Sequence, residues 1–305
     1  MTAARSYLFM ALHVALAAGT YVFAKAAAVD FPDAASLTMA RAGLAAVLVL
    51  LLTGSAIPRP RFKPQEWLRI AGLGALLVPL NQYVFVRGLR DTVPSHPALL
   101  YALTPVVVLV LTAALERRPP ARSRWVGVLA ALAGVLALLR PWEAGPEVAT
   151  LRRGDLWIGI GVVVWAAYTI AAGRLARRHD ARVVTAWALV FGAVFTLPFG
   201  LPALLAVDPA SISLRAWLGL VWLAAVTSTA MMLLWNAMLA HLEPVQVAIC
   251  ANAQPVVTAL LAAALASVGW LRGDQDLGPL FWFGTALVLA GVWVVQRRPR
   301  AAHPL

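Results

Sequence analysis

Residues 183–205, VVTAWALVFGAVFTLPFGLPALL, run for 23 positions without a single charged side chain. A helix rises 1.5 Å per residue, so roughly 20 apolar residues cross about 30 Å of hydrocarbon. In lipid every backbone amide must be bonded internally, which leaves only helices and closed barrels. Barrel strands would read as alternating segments of about ten residues. This run is continuous and rich in Ala, Leu and Val, so it reads as a membrane-spanning helix. Residues 126–139 form a second charge-free run of the same kind.

Working outward, the same character holds along the chain. Of 305 residues, 62% are hydrophobic and 12% charged, where a soluble domain carries about 25% charge. The charged residues cluster between apolar runs and cannot clothe a soluble globule, so lipid is the outer solvent. Ten spans are predicted, at 6–28, 34–53, 68–88, 95–115, 125–139, 154–173, 183–206, 216–239, 245–266 and 280–296. The first resembles a secretory signal in its basic start, but its length and the nine spans behind it make it a retained helix. Cys250 is the single cysteine, so an intrachain disulfide is excluded.

Basic residues choose the orientation, because cytoplasmic loops are enriched in Lys and Arg. With both termini inside, the cytoplasmic face holds 16 of the 25 basic residues against four acids. The outer face holds nine of each, so the whole excess of positive charge lies inside. The basicity is therefore read as topology, and nucleic-acid binding is not expected.

The chain also repeats itself. Residues 89–115 placed over 239–265 give ten identities in 27 positions, among them Pro94 with Pro244 and Pro105-Val106-Val107 with Pro255-Val256-Val257. The following helices match as well, with Gly127 and Gly134 spaced like Gly284 and Gly291. Five spans per copy is an odd number, so the second copy enters the membrane from the opposite face. The expectation is an all-α integral membrane protein of two inverted five-helix repeats, 1–140 and 153–298, with a cytoplasmic tail at 299–305. Inverted repeats characterise many secondary transporters, whose sites lie near the midplane between the halves.

At this point the residues resemble a known family. Gly19-Thr20-Tyr21-Val22-Phe23-Ala24-Lys25, then Pro32 and Arg41-Ala42-Gly43, look like the opening of an EamA repeat of the drug/metabolite transporter superfamily. Leu103-Thr104-Pro105, Leu115-Glu116-Arg117 and Ala253-Gln254-Pro255 are similar to its later elements. The resemblance covers nearly the whole chain. It implies a ten-helix permease of the bacterial inner membrane with cytoplasmic termini, similar to the YddG-like exporters of amino acids and related metabolites. Glu116 aligns with Ala266 and Lys25 falls near Ala172, so the second repeat lacks these polar features.

Polar groups inside a bilayer are costly and usually functional. Asn81, Gln82 and Tyr83 follow Pro79 in the third span; Trp235 and Asn236 lie at a corresponding depth in the eighth. Tyr101 and Thr104 precede Pro105, while Asn252 and Gln254 precede Pro255. Trp165, Tyr168 and Thr169 share one face of the sixth span. Amides suit ammonium and carboxylate groups, and rings suit an apolar remainder. The candidate substrate-binding set is Asn81, Gln82, Tyr83, Tyr101, Trp165, Tyr168, Trp235, Asn236, Asn252 and Gln254, unless these groups serve as interhelical glue. Pro79, Pro105, Pro198 and Pro255 are candidate flex points. His13 is a possible proton site. Arg41 is left between pairing with Asp33, snorkelling and attracting a substrate carboxylate, and Glu116 is expected to pair with Arg117 or Arg124.

What is absent narrows the function further. No G-x-x-x-x-G-K loop, H-E-x-x-H or G-x-S-x-G motif occurs, and no cluster suggests a metal. Neither catalysis nor a cofactor is expected; the partners are a small-molecule substrate and the bilayer, with the chain acting as a monomer or weak homodimer. The reading is a permease, with a membrane-embedded enzyme or a non-transporting sensor or scaffold as the alternative.

Overall fold

The computed structural model describes residues 3–53, 62–92, 95–143, 153–267 and 278–297. All regular structure among them is helical. Eight helices there are long and apolar enough to cross a membrane: Ala34–Thr53, Pro64–Arg90, His96–Glu116, Arg122–Leu139, Arg153–Ala176, Ala181–Leu205, Leu214–Leu239 and Pro279–Gln296. Two shorter apolar helical stretches, Tyr7–Ala17 and Pro244–Leu260, accompany them. The chain is an all-helical, multi-pass membrane protein. Its outer faces carry large apolar side chains such as Leu51, Leu68 and Leu205, each about three-quarters exposed, as contact with lipid rather than water requires. Pro94 and the tail 299–305 lie outside the described residues.

The helical segments are α1 (Ala3–Ala17), α2 (Thr20–Asp30), α3 (Ala34–Thr53), α4 (Pro64–Leu77), α5 (Tyr83–Arg90), α6 (Ser95–Ala102), α7 (Thr104–Glu116) and α8 (Arg122–Leu139). They continue as α9 (Arg153–Ala176), α10 (Ala181–Leu205), α11 (Leu214–Val221), α12 (Met231–Leu239), α13 (Pro244–Ala248), α14 (Gln254–Ser267) and α15 (Pro279–Gln296). Many begin on a polar cap at the end of a span. Asp33 Oδ1 accepts from the Ser36 amide of α3 at 2.7 Å, and Asp180 from Arg182 of α10 at 2.8 Å. Ser213 Oγ accepts from Ala216 of α11 at 3.2 Å. These caps satisfy amides that would otherwise be orphaned where each helix starts.

The interruptions are what shape the interior. Between α4 and α5 the chain widens into a π-turn, Val78–Gln82. Pro79 lies within it, and a proline has no amide to continue the α-helical ladder. In the second half a longer π-segment, Trp222–Ala230, joins α11 to α12. A second pair of breaks falls just before the matched prolines. Leu103 separates α6 from α7, which opens on Thr104-Pro105, and a 3₁₀ turn, Ile249–Ala253, precedes α14, which opens on Gln254-Pro255. Such irregular backbone is tolerated at membrane depth where it is buried in protein or lines a cavity.

Helices from the two halves pack on each other. α3 and α4 lie on α10, α2 on α11, α5 on α9, and α8 on α15. The last contact is extensive, and glycine is its cause. A Cβ placed on Gly134 would stand 2.6 Å from the Gly284 carbonyl oxygen and 2.7 Å from the Val288 nitrogen. One on Gly127 would stand 2.9 Å from the Gly291 carbonyl oxygen. Bare backbone is thus the contact surface, as in small-residue interfaces of membrane helices. Arg124 ties off one end of this seam, donating to the Val295 carbonyl at 2.7 Å and to Glu243 at 2.7 Å. The expected partner for Arg124 was Glu116. Glu243, which caps α13 and stands beside α15, takes that place because it lies across the seam rather than along the same chain segment.

Candidate functional site

At the centre of the bundle the breaks and the helix faces enclose a cavity of about 490 Å³, within the range of small-molecule sites. α1 contributes His13 and Ala17, and α2 contributes Thr20. Arg41 enters from α3, Asn81 and Gln82 from the first π-turn, Tyr101 and Thr104 from either side of the α6–α7 break. Trp165 comes from α9, Thr227 and Trp235 from the second π-segment and α12, and Asn252, Gln254 and Pro255 from the α13–α14 break. Val135 and Leu138 of α8, with Phe281 of α15, complete an apolar wall beside the glycine seam.

Seven of the ten expected binding residues therefore line one space: Asn81, Gln82, Tyr101, Trp165, Trp235, Asn252 and Gln254. Three do not. Tyr83 opens α5 outside the cavity lining, and its ring meets Phe199 at 5.3 Å. Tyr168 and Asn236 lie behind the wall and satisfy each other. Asn236 donates to the Tyr168 hydroxyl at 2.9 Å and to Thr185 at 2.8 Å, with both Tyr168 and Asn236 fully buried. Tyr168 in turn stacks on Trp165, centroids 5.3 Å apart and 11° from parallel. That pair fixes the Trp165 ring rather than facing the cavity.

The aromatic side of the cavity is a continuous surface. Trp165 lies 5.1 Å from Trp235, and Trp235 lies 5.0 Å from the His13 ring. His13 is buried, with no partner for Nδ1 among the described residues. One turn from Trp165 on α9, the Gly161 carbonyl accepts from Asn81 at 2.9 Å, and Asn81 also donates to the Tyr101 hydroxyl at 3.3 Å. Gly161 permits this approach; a Cβ there would stand 3.2 Å from the Tyr101 oxygen. The lining thus combines ring surface with amide and hydroxyl groups.

Several polar atoms of the lining lack partners among the described residues. Gln82 Oε1, Thr104 Oγ1, Trp235 Nε1 and both polar atoms of the Asn252 amide are buried without a hydrogen bond among the described residues. Buried polar groups are seldom left unsatisfied, and this cluster directs spare hydrogen-bonding capacity at one space. Arg41 is buried as well, donating from Nε to Ser228 Oγ at 2.7 Å. Asp33 is engaged at the start of its own helix, which removes the expected Asp33–Arg41 pair.

Of the candidate flex points, Pro79 lies in the first π-turn, Pro105 opens α7, and Pro255 opens α14 and lines the cavity. Pro198 lies with Pro202 inside the continuous α10, outside the cavity lining. Two features escaped the sequence. Thr20 and Thr227 hydroxyls meet at 3.1 Å across the interior, although 207 residues separate them. A buried His96–Asp155 pair, 2.7 Å apart and joined by the Thr92 hydroxyl, links the start of α6 to the start of α9. Asp155 was visible as an acid at a helix start, but nothing local pointed to His96.

Among the described residues no group of three or more His, Cys, Asp or Glu is placed to hold a metal ion. Comparison with known proteins fits the same picture. A solved structure titled "Crystal structure of protein" superposes with a TM-score of 0.69 over 97% of this chain and 98% of its own, at 20% identity, and so shares the fold. A Bacillus subtilis protein, "Uncharacterized transporter YyaM", is 24% identical over 83% of each chain. An Archaeoglobus fulgidus "Uncharacterized transporter" is 24% identical over 85% of this chain and 88% of its own. The Salmonella typhimurium "Uncharacterized inner membrane transporter YicL" is 26% identical over 87% of each chain. The profile of the EamA-like transporter family matches residues 4–140 and again 152–297, and the chain belongs to that family.

Proposed function

We propose that this transporter exports aromatic or other apolar amino acids, or related small metabolites, across the bacterial inner membrane by alternating access. In this reading ten helices cross the bilayer as two inverted five-helix repeats, with both termini in the cytoplasm. The single observation that carries it is the cavity between the halves, where a Trp165–Trp235 ring surface faces unpaired amides at two helix breaks. The double match of one family profile along the chain supports the repeats. The positive-inside charge count supports the orientation, and the relative named as an inner membrane transporter supports the location.

The way the cavity is bounded supports alternating access. Both broken spans place a proline at the start of the helix that leaves the cavity, so each can swing without breaking a backbone hydrogen bond at that position. Trp165 presents a face to an apolar side chain, while Asn252 and Gln82 supply donors and acceptors for polar substituents. His13 stands within this space and is the proposed proton site if flux is coupled to a gradient.

Flux of labelled Trp, Phe and Thr into liposomes containing the full chain, with and without a pH gradient, tests the reading. Saturable flux that Trp165→Ala abolishes is expected. Flux that rises with the gradient and loses that rise in His13→Gln assigns coupling to His13. No flux of any of the three through folded protein overturns the substrate class.

A further inference from the structure

We propose that Arg41 is the carboxylate anchor of the cavity, and that the site reads a carboxylate joined to an apolar ring or chain without requiring an ammonium group. The inference rests on the transport reading above and names the chemistry of the substrate within it.

The argument begins with charge. Arg41 is a buried cation on α3 whose guanidinium lines the cavity. A guanidinium stays protonated in proteins and offers five N–H donors. Ser228 occupies only one of them, through Nε at 2.7 Å. The nearest acids in sequence are spent elsewhere: Asp33 on the Ser36 amide at 2.7 Å, and Asp30 on the Ser213 amide at 3.0 Å. Among the described residues no Asp or Glu lines the cavity, and none pairs with Arg41. A charge held out of water without a counter-ion is expensive, and an intramembrane arginine with spare donors facing an internal space matches a planar carboxylate bidentately.

The other side of the cavity has no matching negative charge. An ammonium group entering it would meet Gln82 Oε1, the Asn252 amide and the faces of Trp165 and Trp235. Those groups are neutral, so they accept from an ammonium, a hydroxyl or an amide alike and supply no fixed charge to oppose a cation. One fixed cation and no fixed anion therefore favour a ligand of net charge −1 over a zwitterion, and a zwitterion over a cation. The rings and the Val135–Leu138–Phe281 wall bind the apolar remainder.

Three ligands that share one carbon skeleton separate the groups: 3-phenylpropionate (carboxylate alone), phenylalanine (both charges) and 2-phenylethylamine (amine alone). Binding to the purified full chain is measured by calorimetry, and flux of the same compounds is measured in liposomes. The expected result is that phenylpropionate binds at least as tightly as phenylalanine, and phenylethylamine at least tenfold more weakly. Arg41→Gln lowers phenylpropionate affinity at least tenfold and leaves phenylethylamine no weaker; Ser228→Ala, which keeps the cation, preserves the order. Phenylethylamine binding the wild-type chain as tightly as phenylpropionate overturns the proposal, and that comparison needs no variant to fold. Phenylalanine flux untouched by Arg41→Gln overturns the anchor while the transport reading stands. Carboxylate-selective binding without flux supports the anchor and overturns transport of this class. No binding of any of the three overturns both.

Discussion

Gly134→Ala is the sharpest test of how the two halves are joined. The added methyl carbon would stand 2.6 Å from the Gly284 oxygen, 2.7 Å from the Val288 nitrogen and 2.8 Å from Val288 Cγ2. Ordinary contact begins near 3.4 Å, so α8 and α15 must part by about 0.8 Å, the difference from the shortest contact. Overpacking of this kind costs about 1–3 kcal/mol, partly offset by the gain of about 1 kcal/mol when alanine replaces glycine in a helix. Gly72→Ala removes that second effect from the comparison, because a Cβ at Gly72 on α4 meets nothing within 4 Å. The difference between the two variants then reads the clash alone. At about 2–4 °C per kcal/mol for larger chains, Gly134→Ala should melt several degrees below Gly72→Ala in detergent.

The same displacement reaches the ligand. Val135, Leu138 and Leu139 follow Gly134 on α8 and form the cavity wall with Phe281 of α15. Ligand affinity should therefore fall along with the melting temperature. Val288→Ala added to Gly134→Ala relieves one contact of the three and leaves both backbone contacts, so rescue is not expected. Equal melting of the two single variants, or full rescue by Val288→Ala, would refute the backbone contact as the reason for these glycines.

Other expected outcomes separate structural from ligand-facing groups. Asn236→Ala strands the Tyr168 hydroxyl and loses the Thr185 bond, so thermal scans should show a loss of about 1–3 kcal/mol; a stable variant would mean that the pair is not what holds Trp165. Asn252→Ala removes an amide with no partner among the described residues, so melting should hold steady while calorimetry with a binding ligand shows weaker affinity. Glu243→Gln breaks the Arg124 pair, but the glutamate side chain is 53% exposed. The loss should stay under about 1 kcal/mol and shrink at high salt, and a salt-independent loss would count against an ionic contact. At Asp180 the Arg182 side chain and amide hold the carboxyl below the ordinary carboxylate range. A lowered folded-state value means that this contribution is present above the unfolded value and fades as acid takes the pH down through the folded one. Asp180→Ala should cost about 1 kcal/mol near neutral pH by losing the α10 cap, and Asp180→Asn should restore most of it.

How much of this was legible beforehand depends on whether the relevant physics was local. Charge-free runs name a membrane helix because hydrocarbon thickness sets their length, so the span 181–205 could be read directly from the chain. The prolines at 79, 105 and 255 announced interruptions because a missing amide acts where it stands. Roles that depend on a partner were not legible in this way. Asn81 and Asn236 carry the same amide at similar membrane depth, yet Asn81 lines the cavity while Asn236 is spent on Tyr168 and Thr185. Composition cannot separate them, since both amides find a tyrosine hydroxyl and the difference lies in whether that hydroxyl itself stands at the cavity, as Tyr101 does, or behind it, as Tyr168 does.

Arg41 shows that geometry already contained in the sequence can decide such a case. Asp33 precedes it by eight residues, which along a helix is about 12 Å of rise, so those two groups cannot meet while α3 remains regular. With the only nearby acid excluded, a buried arginine is left with either lipid or an internal partner, and the lipid cost rules out the first. The π-segment then supplies Ser228, a neutral hydroxyl, where a carboxylate would have closed the charge. A helix bundle that brings a serine rather than an acid to its buried cation keeps that cation available, and the availability is what makes the cavity selective.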